Sequence, residues 1–354
     1  MGNNYIKNGI SREREDFMKA VVIEKPGTMI LKDVPVPEPP KGFVRVKVKR
    51  AAICATDLEV LDGNIAAKYP LTPGHEWSGI VDALGEEVDS KWLGERVTGS
   101  NDVVCLTCPA CRRGEWRYCK SFKEIGFKMD GAYAEYVIVP AYGLVKLPES
   151  VSFAHAALAE PLGVALGTMK KSHAKLGDTC LIMGAGSIGL CTLVVAKAMG
   201  LRDIVVCASG RGREELARKH GADHFIATKE QDLEEEMKKI HPDGTDVIID
   251  ATGMEECIQK ALRICKKGGT VVLEGYGRGK TMQIRIDDIH INNLHLIGAG
   301  NNWNMHQKAI DLMASGVVNI EDFVSETIPL EDFEKGISMV RMRPRGFVKA
   351  EFQP

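Results

Sequence analysis

Four cysteines stand in Cys105-Leu-Thr-Cys108-Pro-Ala-Cys111-Arg-Arg-Gly-Glu-Trp-Arg-Tyr-Cys119, separated by two, two and seven residues. Short Cys-x2-Cys loops bring paired sulfurs onto one ion, and four thiolates complete a tetrahedral zinc. Such a site has no open coordination position, so it staples a lobe together and does not polarise a substrate. Disulfides and an iron–sulfur cluster draw on the same ligands. Residues 1–18 are polar and charged with no apolar signal core, which argues against an oxidising compartment. The flanking Arg112, Arg113 and Arg117, with no other redox machinery, argue against a cluster.

A second set could do chemistry: Cys54-Ala-Thr56-Asp57, then Gly74-His75-Glu76. Thiolate and imidazole are preferred zinc ligands, and with a third ligand they leave one position for water or a substrate oxygen. Glu160, in Ala-Glu160-Pro-Leu-Gly, offers that carboxylate where the sequence pattern changes, a natural place for a cleft. Thr56 could instead be an ordinary turn hydroxyl, and Glu59 a surface carboxylate.

Gly184-Ala-Gly186-Ser187-Ile188-Gly189 follows a strand-like run and opens a helical one. In that context the first glycine permits a tight turn, the second lets backbone approach a pyrophosphate, and the third allows helix and strand to pack. Helix N-terminal amides then face phosphate oxygens. At the end of the next strand, where an NAD site usually presents an acid to the ribose, Ala208 and Ser209 stand instead, followed by Arg211 and Arg213. With no carboxylate to repel a 2′-phosphate and two guanidinium groups to grip it, NADP(H) is expected over NAD(H). The alternative is that both arginines are solvated and either cofactor serves.

These residues need two kinds of scaffold. Up to about residue 150 the chain shows short β-rich runs, 43–48, 77–84 and 133–139, broken by Gly and Pro, with Pro35, Pro37, Pro39 and Pro40 excluding helix. This predicts an irregular, mostly antiparallel β domain. From about Asp178 strands (179–183, 203–208, 246–250, 269–274) alternate with helices (187–199, 213–220, 255–265), the signature of a doubly wound parallel sheet. With 354 residues, two domains are natural. A formal net charge of −2 argues against bulk nucleic-acid or membrane-surface binding, and no apolar run is long enough to span a bilayer. Six of the ten cysteines are scattered; with Cys180, Cys191, Cys207 and Cys265 in apolar or helical contexts, they fit a reducing cytoplasm.

Taken in order, Cys54-x-Thr56-Asp57, Gly74-His75-Glu76, the cysteine quartet, Glu160-Pro161 and Gly184-x-Gly186-x-x-Gly189 resemble the zinc-dependent medium-chain dehydrogenase/reductase family over nearly all the chain from Met18 onward. The resemblance implies an α/β plus β architecture: a disordered extension at 1–17, a GroES-like catalytic domain at 18–163, a Rossmann domain at 164–299, and a return to the catalytic domain at 300–354. It implies Cys54, His75 and Glu160 as ligands of a catalytic zinc, Glu76 as an exchangeable ligand and Asp57 as the group that orients His75. The quartet would hold a second, structural zinc. Thr56 would take the substrate proton, and hydride would pass to nicotinamide.

Glutamate as third ligand, where classical alcohol dehydrogenases of the family carry cysteine, looks like the sorbitol and threonine dehydrogenase branches. A polyol, sugar acid or sugar-alcohol derivative is therefore the expected substrate, with threonine-type amino alcohols and diols as alternatives. A zinc-free or non-catalytic cofactor-binding relative is the alternative of a different class. Ala55 stands where glycine is usual, and Glu59 where many relatives have a proton-relaying histidine. Ile65, Phe127 and Trp303 with Asn301, Asn302 and Asn304 are candidate pocket walls, although those asparagines could instead cap a helix near Met305. The family resemblance also implies a homodimer or homotetramer.

Overall fold

The computed structural model describes residues 16–300 and 305–354. Most of the expected extension, residues 1–15, and the pocket candidates Asn301, Asn302, Trp303 and Asn304 lie outside the described residues. Of the extension's last two positions, Phe17 opens the strand Phe17–Lys25. The chain divides into two compact units. One runs to Glu160 and takes in Val324–Met342 and Lys349–Pro354; the other comprises Pro161–Phe323 and Arg343–Val348.

The return to the first unit therefore falls at Val324, later than the expected residue 300. The reason is the helix His306–Ala314, which buries Ala309, Ile310 and Met313 within the second unit. The short segment Arg343–Val348 returns to that second unit before the final strand.

The first unit is the irregular β domain. Its main sheet runs, in spatial order, Val324–Pro329, Lys349–Gln353, Phe43–Ala52, Glu76–Leu84, Arg96–Gly99 and Leu144–Lys146, with Tyr136–Pro140 also pairing with Phe43–Ala52. All pairings are antiparallel except the first, which is parallel. Alternation of Val44, Val46 and Val48 puts one face of the central strand in the core. The register matters for chemistry: Ala52 pairs with both Glu76 and Glu351. That pairing brings Cys54, His75 and Lys349, each one or two residues beyond a paired position, to the same end of the sheet.

The second unit is the doubly wound domain. Its six parallel strands lie in the order His224–Ala227, Arg202–Ala208, Thr179–Met183, Thr245–Asp250, Cys265–Leu273 and His295–Gly298. The central strand Thr179–Met183 is buried throughout, as an interior parallel strand covered on both faces must be. Strand order reverses between it and Thr245–Asp250, so the crevice beyond these carboxyl ends is the ligand position of such sheets.

One carboxyl at that end of the sheet is unusual. Glu274, just beyond Cys265–Leu273, accepts hydrogen bonds from the hydroxyls of Thr168 at 2.6 Å and Thr192 at 3.2 Å. Burial pushes its pKa up to about 7, against the lowering pull of the two threonines and with help from Asp250. A carboxyl raised from 4.5 in this way contributes stability that is complete below the unfolded value and is lost as pH rises through about 7. Glu274→Gln is therefore expected to melt close to the parent near pH ~5 and progressively above it toward pH ~8. Thermal melts of both proteins across that range check this; a constant offset would contradict it.

Candidate metal and dinucleotide sites

Asp57 organises the first site. Cys54 is the N-cap of the helix Ala55–Leu61, and its backbone N–H donates to Asp57 Oδ2 at 3.0 Å. A carboxylate at the third helical position satisfies one of the orphan donors at a helix start. Tyr133 donates its hydroxyl to the same oxygen at 2.5 Å. The other oxygen, Oδ1, lies 3.1 Å from His75 Nδ1. Burial alone would raise the Asp57 pKa, but His75, Tyr133 and the Cys54 amide together hold it below the usual carboxylate range. An ionised carboxylate only accepts, so Nδ1 carries the proton and Nε2 is the nitrogen that could ligate a metal.

Gly74, immediately before His75, has φ +100°, and a Cβ there would lie 2.4 Å from the Tyr133 ring. Only glycine lets the His75 backbone run this close to the tyrosine that holds Asp57. Phe127, a predicted pocket wall, leans on the imidazole with ring centroids 5.0 Å apart. Ile65, the other described candidate, sits on the turn beyond Ala55–Leu61, its N–H bonded to the Glu59 carbonyl at 3.2 Å.

The donor atoms of Cys54, His75 and Glu76 lie within 4.8 Å of one another. Thr56 Oγ1 donates to Cys54 Sγ at 3.1 Å and lies 3.4 Å from His75 Nε2. Thiolate, imidazole, carboxylate and hydroxyl thus converge, a donor set that fits zinc. Glu160 stands outside this close group. Its carboxyl is buried and its pKa raised to about 7, first by burial and then by Glu76, while His75 and Lys349 pull the other way. Glu59 is half-buried and accepts from Asn64 Nδ2 at 2.8 Å.

Lys349 and Tyr133 escaped the sequence reading. The Lys349 ammonium donates to both Glu76 oxygens, at 2.6 and 2.7 Å, and lies 3.4 Å from the Ile53 carbonyl. Both partners are buried. Burial opposes the lysine's charge, but Glu76 and the neighbouring Cys54 and Glu160 outweigh it and raise its pKa. A clue was available: Lys349 and Glu351 interrupt an otherwise apolar run at 347–352, and a charge within a core strand demands a partner.

The quartet is equally compact. Its sulfurs lie 3.5 Å (Cys108–Cys111), 3.6 Å (Cys105–Cys119) and 3.9 Å (Cys105–Cys111) apart. A tetrahedron with Zn–S bonds of about 2.3 Å has edges of about 3.8 Å, whereas a disulfide is about 2.05 Å long. The backbone amides of Cys108 and Ser121 point at Cys105 and Cys119 sulfurs, each at 3.4 Å, as thiolates require. Bonds from Thr107 and Cys108 hold the Cys105 pKa down to about 6.

In the second unit Gly184 has φ +107°, and a Cβ on Gly189 would lie 1.8 Å from the Gly184 carbonyl oxygen. A Cβ on Gly186 would meet nothing within 4 Å, leaving room in front of the helix Ser187–Ala198, which Ser187 and Ile188 open. This cradle fits a pyrophosphate. The ribose end departs from expectation. Arg213 is half-buried, and its guanidinium donates to the carbonyls of Phe347 at 2.7 Å and Ala185 at 2.9 Å. Arg211 is held by Glu230 and Glu214, each at 2.7 Å, and by Gln231 at 3.2 Å. Both arginines are engaged within the fold, Arg211 by carboxylates and Arg213 by backbone carbonyls. Ser209 offers its carbonyl to the Lys229 amide at 3.3 Å.

Residues 40–149 match the alcohol dehydrogenase GroES-like domain, and residues 187–315 match the zinc-binding dehydrogenase domain. Sorbitol dehydrogenase of Bacillus subtilis is 32% identical over 89% of this chain and 91% of its own. L-threonine 3-dehydrogenase of Pyrococcus horikoshii is 33% identical over 94% and 97%. A zinc-binding dehydrogenase from Sinorhizobium meliloti, bound to NADP, superposes with a TM-score of 0.88 at 32% identity, covering 96% of this chain and 99% of that one. An Escherichia coli alcohol dehydrogenase complexed with NADH gives 0.90 at 29%, covering 96% and 100%. Among the described residues no helix is long and apolar enough to cross a membrane.

The Glu76–Lys349 pair yields a measurable expectation. Removing one partner of a buried pair leaves the other charge uncompensated, at a cost of about 3–5 kcal/mol. Lys349→Met should therefore destabilise by about that much, and the double variant Lys349→Met/Glu76→Gln by clearly less than the sum of the singles. Urea unfolding of the four proteins closes the cycle; additive losses would show that the pair does not act as a unit.

Proposed function

The chain belongs to the zinc-binding dehydrogenases of the medium-chain dehydrogenase/reductase family, and from that membership we propose that it interconverts a secondary alcohol flanked by further polar groups with its ketone. A polyol, sugar acid or sugar-alcohol derivative is the substrate class, NADP(H) is used in preference to NAD(H), and two zinc ions serve each chain. One ion is assigned to the cysteine quartet, the other to Cys54, His75 and Glu160 with Glu76 beside them. The enzyme is assigned to the cytoplasm as a homodimer or homotetramer.

Zinc at the second site supplies Lewis acidity toward a substrate oxygen. The remaining work falls to side chains. The Thr56 hydroxyl has lone pairs free to accept a substrate proton while it donates to Cys54 Sγ. From Thr56 the proton leaves either by way of Glu59, three residues on in the same helix, or through the cofactor ribose and water. Asp57 keeps His75 in the tautomer that presents Nε2. Lys349 pairs with Glu76 and offsets part of the repulsion between Glu76 and Glu160. The observation that carries this reading is the convergence of Cys54 Sγ, His75 Nε2 and Thr56 Oγ1 at 3.1 and 3.4 Å.

Glu160, in place of a third thiolate, supports an oxygen-rich substrate, as does the likeness to sorbitol dehydrogenase. The comparable likeness to L-threonine 3-dehydrogenase supports an amino alcohol as a second reading. One solved relative holds NADP and another NADH, so the cofactor preference rests on this chain's own Ala208, which offers no carboxylate to a ribose 2′-hydroxyl.

Zinc analysis should find about two ions per chain, falling to about one in Cys111→Ser and in His75→Ala alike. His75→Ala should lose turnover and still bind cofactor, read by quenching of its intrinsic fluorescence; retained turnover would refute the assignment. A cofactor-reduction screen with polyols, sugar acids, diols and L-threonine should favour a polyol or sugar acid. A clear preference for L-threonine would transfer the assignment to the second reading.

A further inference from the structure

The engagement of Arg211 and Arg213 leaves open which groups would receive a 2′-phosphate. The turn after Arg202–Ala208 runs Ser209-Gly210-Arg211-Gly212-Arg213, and within the same unit the segment Arg343–Val348 packs against it. A Cβ on Gly212 would stand 3.2 Å from Arg345 Cγ and 3.2 Å from the Gly346 amide nitrogen. Arg213 binds the Phe347 carbonyl in this same contact. The segment sets Arg343 and Arg345, both exposed, beside the turn that ends the second strand.

The charges in this contact are unbalanced. Arg211 is neutralised by Glu214 and Glu230. Arg213 binds only carbonyl oxygens, so its charge stands, and after burial it is the nearby Arg343 that most disfavours that charge. Among the described residues neither Arg343 nor Arg345 has an ion-pair partner. Arg213 and Arg343 thus feel one another's charge, and Arg345 stands two residues on against the same turn. Arg343 is also held at φ +48° immediately before Pro344, a left-handed conformation costly for a non-glycine residue and more so ahead of proline. Strain of this kind, beside unpaired like charges, marks a segment shaped for a ligand. Its chemistry is that of a phosphate dianion, which guanidinium groups bind with two parallel hydrogen bonds.

We propose that Arg343 and Arg345, carried by the returning segment, form the recognition site for the ribose 2′-phosphate of NADP(H), in place of Arg211 and Arg213. Arg213 acts as the post that fixes the segment, through Phe347, against the glycine turn at Ala185. The inference rests on the NADP(H) preference proposed above.

Two fragments separate the two claims: 2′,5′-ADP carries the phosphate in question and 5′-AMP lacks it. Calorimetric titration of the intact protein should show 2′,5′-ADP binding about ten- to a hundredfold tighter than 5′-AMP, the size of charge-assisted contacts. Arg343→Ala/Arg345→Ala should remove most of that ratio and leave 5′-AMP affinity within about twofold, with an unchanged circular dichroism spectrum. The single Arg345→Lys variant should retain part of the ratio. If the parent fails to discriminate between the fragments, the NADP(H) preference itself is wrong. If the parent discriminates but the double variant does so equally well, or the ratio collapses instead in Arg211→Ala, the preference stands and this site is overturned.

Discussion

Everything in the catalytic half hangs on a carboxylate that no solvent reaches. Asp57 accepts from the Cys54 amide, the Tyr133 hydroxyl and His75, and these three come from separate stretches of chain. A buried carboxylate with fewer donors would be unstable as an anion and would take up a proton. With this shell it stays ionised, and its charge fixes the imidazole tautomer. Helix capping, ligand geometry and tautomer choice are therefore one electrostatic arrangement, and loss of any donor weakens the other two. Gly74 belongs to the same arrangement, because a side chain there would displace the tyrosine.

The second buried charge pair answers a problem that the first creates. His75 is followed directly by Glu76, and Glu160 is buried within reach of both fields. Two carboxylates in a dry site repel, and a cation beside them lessens that cost. Lys349 is that cation, and it offsets only part of the repulsion felt by Glu160. It arrives on the final strand, placed by the pairing of Ala52 with Glu351 on one side and Glu76 on the other. The C-terminal strand thus carries the countercharge of Glu76 to the candidate metal site.

Local chemistry was legible in the sequence and distant chemistry was not. Cys54, Thr56 and Asp57 lie on one helical turn, the quartet on one short lobe, and Gly184, Gly186 and Gly189 on one strand-to-helix turn; spacing alone determines which atoms meet there. The alternation of strands and helices from Asp178 is equally local, and each expected element is found to within a few residues, with the strand expected at 269 starting at Cys265; His224–Ala227, Leu233–Ile240, Ile286–Asn292 and His295–Gly298 were not foreseen. Lys349 lies 273 residues from Glu76, and Tyr133 lies 76 from Asp57, so no window of sequence joins them. The placement of residues 305–323 failed for a related reason: the helix His306–Ala314 is amphipathic either way, and only the tertiary fold says which unit its apolar face enters.

Arg211 and Arg213 show a limit of another kind. A sequence displays charges, whereas a ligand responds only to those left uncompensated. Arg211 beside two glutamates offers an incoming anion little, because binding would first have to break two ion pairs. Arg213 keeps its charge but has turned its donors toward carbonyls inside the fold. Arg343 and Arg345 add positive charge beside it, with no ion-pair partner among the described residues. On the proposal that these two receive the ribose phosphate, a 2′-hydroxyl would leave the repulsion in place, while a phosphate dianion would offset it. Under that proposal, cofactor choice would rest on the contact between two turns more than 130 residues apart, with the acid missing at Ala208 as its permissive half.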